Sequence, residues 1–378
     1  MTAWWRTRRE DLLAVLGDRH CAYVYDRATV ASQARALLAM RSLSRLFYAI
    51  KANPHPAILK TLSAAGLGFE CVSRAEVERV LEAVPGIAPG QILFTPNFAP
   101  RAEYRWALDR DLRVTVDNLY VLRAWAEDFR GREILLRLDT EQAQGHHDKV
   151  RTAGHDSKFG VPPDEFSELP AAVAAAGAHV VGIHAHGGSG SFDLNGWLAS
   201  ARVLAAAAAE FPGARALNLG GGLGVPDRPD RAPIDLDAFD AALGQFHASH
   251  SALELWLEPG RYLVAAAGVL LARVTQTKGK GPVRYVGVAT GMNSLIRPAL
   301  YGAWHEIVNL SRLDEPASGR CTVVGPICES GDVLGTDRPL PACREGDVML
   351  IANAGAYGHA MGSHYNLRPP AAELLMPA

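Results

Sequence analysis

Residues 46–56 read LFYAIKANPHP, an apolar run that ends directly at two polar residues, Lys51 and Asn53. A run without a polar face is typical of a strand in a parallel sheet that helices cover on both sides. In such folds the ligand-binding groups follow the carboxyl ends of the strands. This segment therefore predicts an α/β fold, and it indicates where the functional groups lie.

Seven further segments repeat the strand pattern. With Leu46–Ile50, the predicted strands are Gly68–Val72, Ile92–Phe94, Arg113–Val116, Ile134–Leu138, Val180–His184, Ala216–Leu219 and Leu253–Leu257. Apolar residues at intervals of three and four predict helices between most of them, such as Ala75–Ala83, Leu119–Asp128 and Gly196–Glu210. Eight such units in about 230 residues match a (β/α)8 TIM barrel. A doubly wound open sheet is the alternative, because strand order cannot be read from one sequence.

The chain changes character after residue 262. Strand-like segments separated by Gly and Pro follow, at Tyr262–Gln276, Val283–Ala289, Cys321–Val324 and Asp347–Ala352. Ala22–Tyr25, which precedes the barrel pattern, has the same character. The predicted fold class is α/β plus β, with a barrel domain at 27–262. Residues 1–26 and 263–378 would form a discontinuous, mainly β domain of the sandwich or barrel type.

Composition argues against several classes of function. Lys and Arg number 38 against 40 Asp and Glu, so the global charge does not favour binding to nucleic acid or an anionic membrane. The N-terminal residues are charged where a signal peptide needs an apolar core, and no segment resembles a membrane span. Five scattered cysteines without a CxxC pair argue against a disulfide framework or a metal site. We expect a cytoplasmic protein that acts on a small molecule.

Polar residues and glycines follow or end five of the predicted strands. They are Lys51 with Asn53, Glu70, His184 and His186 with Gly187–Gly190, Gly220–Gly222, and Glu258 with Arg261. Each has an ordinary alternative, such as a solvated lysine, a simple turn, a core histidine or a surface carboxylate. A semi-buried Glu258 needs a partner, for which Arg261 and a ligand cation are candidates.

Taken together, these groups suit pyridoxal 5′-phosphate (PLP). A partly desolvated lysine reacts with the aldehyde, and two glycine loops offer backbone N–H groups to the phosphate. A flat histidine ring can stack on the pyridine, whose protonated nitrogen needs an acidic partner. The sequence therefore predicts a PLP site at the carboxyl ends of the barrel strands.

Nine segments in order resemble the fold-type III PLP-dependent amino-acid decarboxylases, most closely the diaminopimelate decarboxylases. They are FYAIKAN (47–53), GLGFECVS (66–73), SKFGV (157–161), GIHAHGGSG (182–190), LNLGGGLG (217–224), EPGRYLV (258–264), GMNSLIRPALYGAWH (291–305), GPICESGD (325–332) and NAGAYG (353–358). RPALYGAWH and CESGD indicate diaminopimelate rather than ornithine as substrate. The chain is also similar to the decarboxylase half of fused aspartate kinase–diaminopimelate decarboxylases, which leaves open a covalent fusion to an aspartate kinase domain.

The resemblance implies a role for each matching residue. Lys51 would form the Schiff base with the cofactor, His186 would stack on the ring, and Glu258 would pair with its nitrogen. Further cofactor contacts are implied for Glu70, where the family more often has Asp, and for Ser189, Gly221, Gly222, Gly260, Arg261 and Tyr357. Substrate contacts are implied for Arg261, Arg297, Tyr301, Glu329 and Tyr357. Cys328, the third catalytic residue with Lys51 and His186, would reach the site with Glu329 from the other subunit of a homodimer.

The implied reaction is decarboxylation of meso-2,6-diaminopimelate at its D-centre to L-lysine and CO2, the last step of lysine biosynthesis. Two arginines and a glutamate complement the two carboxylates and the distal ammonium of that substrate. The alternatives are decarboxylases of the same fold acting on ornithine, lysine, arginine or carboxynorspermidine, and a non-catalytic PLP carrier. The loop Thr140–Asp156, which contains His146 and His147, is either a mobile lid or a solvated loop.

Overall fold

A computed structural model describes residues 3–142, 153–154, 157–228 and 230–377, and within it the chain forms two compact units. The barrel unit comprises Ala31–Gly224 and Pro233–Tyr262. The β unit comprises Met1–Val30, Val225–Ala232 and Leu263–Ala378. That these units are folding domains with boundaries after residues 26 and 262 stays a prediction.

Strands and helices alternate through the barrel unit, and strands dominate the β unit. The strands are β1 Cys21–Tyr25, β2 Arg45–Ala49, β3 Gly68–Cys71, β4 Ile92–Phe94, β5 Arg113–Val116, β6 Glu133–Arg137, β7 His179–His184, β8 Ala216–Asn218, β9 Glu254–Leu257, β10 Gly268–Lys280, β11 Val283–Val288, β12 Ile307–Asn309, β13 Gly319–Val324, β14 Val333–Leu340, β15 Val348–Ile351 and β16 Ala372–Leu375. The α-helices are α1 Trp4–Thr7, α2 Arg9–Leu16, α3 Arg27–Leu38, α4 Pro56–Ala64, α5 Arg74–Ala83, α6 Arg101–Leu108, α7 Leu119–Ala124, α8 Ala126–Phe129, α9 Leu169–Ala176, α10 Asn195–Ala208, α11 Leu236–Ala248, α12 Arg261–Val264 and α13 Arg297–Tyr301. Short 3₁₀ helices span Ile50–Ala52, Pro89–Gln91, Pro163–Glu168, Leu310–Arg312, His359–Met361 and Tyr365–Leu367.

Strands β2 to β9 form a closed parallel barrel in sequence order, with β2 paired to both β3 and β9. This confirms the TIM barrel and rules out the open-sheet alternative. The eight strands match the eight predicted segments to within one residue at each end. They form where predicted because apolar runs buried on both faces are stable only between a packed interior and covering helices. Among the described residues, no helix is long and apolar enough to cross a bilayer.

The β unit contains a second sheet of eight strands, six of which follow the order β12-β15-β10-β11-β13-β14. Strand β1 pairs with β10 and β16, so the strand near the N-terminus belongs to this sheet, as predicted. The predicted strand Tyr262–Gln276 is wrong at its start, because Arg261–Val264 is helical and β10 begins only at Gly268.

Some elements differ from the sequence pattern for local reasons. The predicted helix Leu119–Asp128 is divided at Trp125, whose backbone leaves the helical region between α7 and α8. Strands β12, β14 and β16 were not predicted. Strand β14 contains a glycine, an aspartate with φ of +56° and a proline, and its pairing with β13 is irregular. Glycine, aspartate and proline disfavour regular strands, so the sequence pattern of β14 does not indicate one. The segment is extended because it pairs with β13.

The barrel interior provides a test of this packing. Leu135 is fully buried in a cluster with Phe47, Leu93, Ala216 and Trp256. We expect Leu135→Ala to lower the free energy of unfolding by about 2–5 kcal/mol, because the cavity cannot collapse between closed strands. The measurement is the midpoint of urea unfolding followed by circular dichroism. The matched control is truncation of an exposed leucine of α5, Leu81→Ala, for which we expect a change below about 1 kcal/mol.

Candidate active site

The residues predicted at the barrel-strand ends come together at one end of the barrel unit. Lys51 lies in the 3₁₀ turn after β2, and Glu70 is the third residue of β3. His184 ends β7, and Glu258 follows β9 directly. The parallel strands place these groups at the same edge because all their carboxyl ends point the same way.

Lys51 and Glu70 form an ion pair. Lys51 Nζ donates to Glu70 Oε2 at 2.7 Å, and Glu70 is 1% exposed. Burial raises the pKa of Glu70, while the Lys51 ammonium offsets part of that rise. The glutamate therefore reaches the lysine directly, although the family more often has the shorter aspartate here. A carboxylate with a raised pKa beside a lysine can accept its proton and leave a neutral, nucleophilic amine.

Glu258 is a second buried carboxylate, and its oxygens have separate partners. Asn218 Nδ2 donates to Oε1 at 2.7 Å, and His184 Nε2 lies 3.2 Å from Oε2. Burial by itself raises the pKa of Glu258, but the His184 and Lys51 charges outweigh it and hold the pKa at about 2. The sequence suggested Arg261 as one partner, whereas the described contacts of Glu258 are with Asn218 and His184. The site thus holds a permanent negative charge of the kind that a protonated ring nitrogen needs.

His186 is neutral in this environment. Burial and the charges of Arg137 and Lys51 lower its pKa well below the usual value. The backbone N–H of Gly221 donates to His186 Nδ1 at 3.2 Å, which places the imidazole hydrogen on Nε2. A Cβ on Gly221 would lie 2.3 Å from the Glu258 carbonyl oxygen, so this position has no room for a side chain. A fixed neutral imidazole suits stacking against a flat heteroaromatic ring.

The two predicted phosphate loops, Gly187–Gly190 and Gly220–Gly222, pack backbone against backbone. The carbonyl of Gly222 accepts N–H bonds from Gly190 and Ser191, each at 2.9 Å. Gly222 has φ of +102°, and a Cβ there would lie 2.4 Å from the nearest carbonyl oxygen of the other loop. Glycine is required by both the backbone conformation and the space.

Arg261 and Ser189 add side-chain donors beside the two glycine loops. Arg261 donates to Ser189 Oγ from Nη2 at 2.9 Å and from Nε at 3.2 Å. Gly260 is closely packed, since a Cβ there would lie 3.2 Å from the Ala52 side chain. Backbone N–H groups, a hydroxyl and a guanidinium are the donors that a phosphate needs. With Lys51, His186 and Glu258, the residues present therefore fit PLP.

The other predicted site residues belong to the β unit. Arg297 and Tyr301 are the first and last residues of α13, and Arg297 is 7% exposed. Cys328 and Glu329 lie together in the loop between β13 and β14, and both are exposed. Tyr357 lies in a turn with φ of +55°. The structure thus brings these residues into two pairs and a separate turn of one unit.

Three residues of the barrel unit contribute charges or hydrogen bonds near the candidate site and are not predicted from the sequence. Arg137, the last residue of β6, is buried, its guanidinium lies 4.6 Å from the Phe159 ring, and its charge acts on His186. Asn218 orients Glu258, and Glu76 of α5 binds the backbone N–H of Val72 at 2.7 Å. A lone charge at the end of the apolar run ILLRL was the available signal for Arg137.

One predicted feature lies outside the described residues. His146 and His147 of the Thr140–Asp156 loop are not among the residues that the structure describes, so its interpretation as a lid or a solvated loop stays a prediction. Within the described ranges, no group of three or more His, Cys, Asp or Glu residues is placed to hold a metal ion.

Glu76 gives the barrel end a pH-dependent stability. Burial raises its pKa to about 7, with a further rise from Glu70 and partial offsets from the Val72 N–H and Lys51. The unfolded pKa is about 4.3. The stability contributed by protonated Glu76 is therefore complete below the unfolded value and is lost as pH rises through the folded value.

We expect the neutral variant Glu76→Gln, which keeps an oxygen for Val72, to escape this loss. Its advantage over the parent protein in free energy of unfolding should grow by on the order of 2 kcal/mol between about pH 5 and pH 8. Urea unfolding at three pH values measures the difference. Glu78→Gln, at an exposed position of α5, is the surface control. An advantage that stays constant with pH would contradict the linkage.

Comparison with known proteins gives concordant matches over most of the chain. Residues 27–265 match the family model for the pyridoxal-dependent decarboxylases, pyridoxal binding domain. A diaminopimelate decarboxylase of Methanothermobacter thermautotrophicus is 39% identical over 358 residues, covering 90% of this chain and 82% of that protein. A diaminopimelate decarboxylase of Pseudomonas aeruginosa is 38% identical over 367 residues, covering 94% and 87%. The crystal structure of diaminopimelate decarboxylase from Helicobacter pylori complexed with L-lysine matches with a TM-score of 0.87 at 30% identity, covering 97% and 94%.

Proposed function

The chain belongs to the pyridoxal-dependent decarboxylases, and from this premise we propose that it decarboxylates meso-2,6-diaminopimelate at its D-centre to L-lysine and CO2. This reaction would be the last step of lysine biosynthesis, carried out by a carboxy-lyase. The relatives named diaminopimelate decarboxylase, and a similar structure with L-lysine bound, support this substrate rather than ornithine or arginine.

One observation carries the decarboxylase chemistry: a lysine paired with a buried carboxylate and a second buried carboxylate lie at the same end of the barrel. Bound PLP supplies a carbonyl that accepts an amine and a ring that withdraws electrons from the carbon losing CO2. Glu258 would hold the proton on the ring nitrogen, because its pKa of about 2 keeps it ionised at neutral pH. A neutral residue at position 258 would lack this charge.

The remaining barrel residues would bind and orient. Neutral His186 would stack on one face of the ring without adding a competing positive charge. Ser189, Gly221, Gly222, Gly260 and Arg261 would surround the phosphate, with Tyr357 as a further donor. Glu70 would take a proton from Lys51 Nζ, across the 2.7 Å contact, whenever the amine must act as a nucleophile.

Charge complementarity supports the substrate. Arg261, Arg297, Tyr301 and Tyr357 would bind substrate carboxylates, and Glu329 would bind the ammonium at the D-centre. Arg297 is almost fully buried, and a second substrate carboxylate would give its guanidinium a charge-assisted, bidentate partner. This pairing favours diaminopimelate over a diamino acid with only one carboxylate.

We further propose a homodimer with shared active sites that works in the cytoplasm. Of the five cysteines, Cys328 alone is exposed, which disfavours the ordinary interpretation of a buried apolar residue. An exposed thiol next to an exposed Glu329 suits a segment that completes a site in another subunit. The covalent fusion to an aspartate kinase domain stays a prediction.

The substrate assignment predicts a clear ranking in an activity assay. Protein loaded with PLP should release CO2 and lysine from meso-2,6-diaminopimelate at least about 100-fold faster than CO2 from ornithine or lysine. Lys51→Ala should lose about 1,000-fold or more of this activity, while Lys60→Ala, an exposed lysine of α4, retains it. Faster turnover of ornithine would contradict the substrate, and substantial activity of Lys51→Ala would contradict the role of the lysine.

Shared sites predict complementation between inactive variants. Mixing Lys51→Ala with Cys328→Ala subunits should restore roughly a quarter of the parent activity, because half of the dimers then contain one intact site. Mixing Lys51→Ala with Glu258→Gln provides the matched control, since both changes fall in the barrel unit and every mixed dimer keeps two damaged sites. Recovery in neither mixture would exclude the composite site.

A further inference from the structure

The loop that contains Cys328 and Glu329 is exposed, yet its backbone is held by side chains. It spans residues 325–332 between the antiparallel strands β13 and β14. Two consecutive backbone amides form hydrogen bonds with side chains. Ile327 N–H donates to Asp332 Oδ2, and Cys328 N–H donates to Asn366 Oδ1, both at 2.7 Å. We call residues 327–329 the tip. The conformation of the tip is therefore fixed by these side-chain hydrogen bonds as well as by the two flanking strands.

Asp332 connects the loop to a second segment. Its carboxylate is 4% exposed, and Oδ1 accepts the N–H of Met292 at 2.6 Å. A Cβ on Gly291 or Gly325 would lie 2.1 Å or 2.4 Å from this carboxylate, so glycine at both positions makes room for it. Through these contacts the tip is tied to the tract that leads into α13 and Arg297.

Asn366, which accepts the hydrogen bond from the Cys328 amide, belongs to a third segment. It lies in the 3₁₀ turn Tyr365–Leu367 with φ of +56°, a left-handed conformation that asparagine tolerates better than most residues. Asn293 Nδ2 donates to the carbonyl of Pro369 at 3.0 Å, which joins this third segment to the tract after Gly291. The three segments are thus connected pairwise through Asp332, Asn366 and Asn293.

We propose that Asn366 is a positioning residue that holds the Cys328–Glu329 tip in the conformation needed to bind substrate. This inference rests on the proposed function, because it assigns the tip a substrate to bind. An exposed loop loses conformational entropy when it becomes ordered around a ligand. A hydrogen bond that already orders the loop before binding removes part of that cost. Asn366 acts on the backbone of Cys328, so it influences Glu329 without touching the substrate itself.

Two substitutions separate the hydrogen bond from the backbone conformation. Asn366→Gly adopts a positive φ freely but loses the accepting oxygen, while Asn366→Asp keeps an accepting oxygen. Asp337→Gly is the matched control, because Asp337 also has φ of +56° and its side chain pairs with exposed Arg320. All three changes leave the buried core of the β unit intact.

The direct readout is hydrogen exchange at the Cys328 amide, measured by mass spectrometry on the holoenzyme. We expect exchange about 3–10-fold faster in Asn366→Gly, as for loss of one hydrogen bond, and near the parent rate in Asn366→Asp and Asp337→Gly. The KM for meso-2,6-diaminopimelate should rise about 3–10-fold in Asn366→Gly with kcat changed less than about 2-fold, the pattern of lost ground-state binding.

Unchanged exchange at Cys328 in Asn366→Gly would overturn the positioning role, and so would an equal rise of KM in Asp337→Gly. A lower thermal stability of Asn366→Gly together with faster exchange throughout the β unit would also overturn the positioning role, because the substitution would then unfold the unit generally. Absence of turnover by the parent protein is a separate result. It would overturn the proposed function, while the exchange data still report whether Asn366 holds the tip.

Discussion

Two buried carboxylates lie beside positively charged groups at the carboxyl end of an otherwise apolar barrel, and the chemistry of the site depends on how these charges compensate one another. Glu70 alone would be costly in this interior, but the Lys51 ammonium lies 2.7 Å away. Glu258 is stabilised by Asn218 and by the charges of His184 and Lys51, so it stays ionised where burial alone would favour its neutral form. One carboxyl group therefore has a raised pKa and the other a lowered pKa within one cluster. That contrast suits a proton acceptor beside an amine and a permanent anion beside a ring nitrogen.

The backbone of the glycine loops provides the second constraint. The loop at 220–222 is packed so closely that a side chain on Gly221 would overlap the Glu258 carbonyl oxygen, and one on Gly222 would overlap the Gly188 carbonyl oxygen in the loop at 187–190. The same approach lets the Gly221 N–H fix the tautomer of His186. The conformation of the predicted phosphate loops and the tautomer of His186 thus have a common cause, which is tight backbone packing.

The β unit shows how an exposed segment can be ordered without being buried. The tip is held through backbone amides by Asp332 and Asn366, so the side chains of Cys328 and Glu329 remain exposed. In the proposed dimer, such a segment would arrive at a partner's site already ordered. The expected gain is entropic, because fewer residues would need to be fixed when substrate binds.

Much of the fold and the site was determined by the sequence itself. Eight apolar runs predicted the barrel strands, because a strand buried on both faces leaves an unmistakable pattern, and polar residues at their ends marked Lys51, Glu70, His186 and Glu258. Only the tertiary structure decided which groups compensate each other: Asn218 and Glu258 are 40 residues apart, and barrel closure makes them neighbours. The same holds for Arg137 and for the tie between Asn366 and Cys328, 38 residues apart. Such pairings carry no periodic signal, since a hydrogen bond depends on where two distant segments meet and not on the pattern within either one.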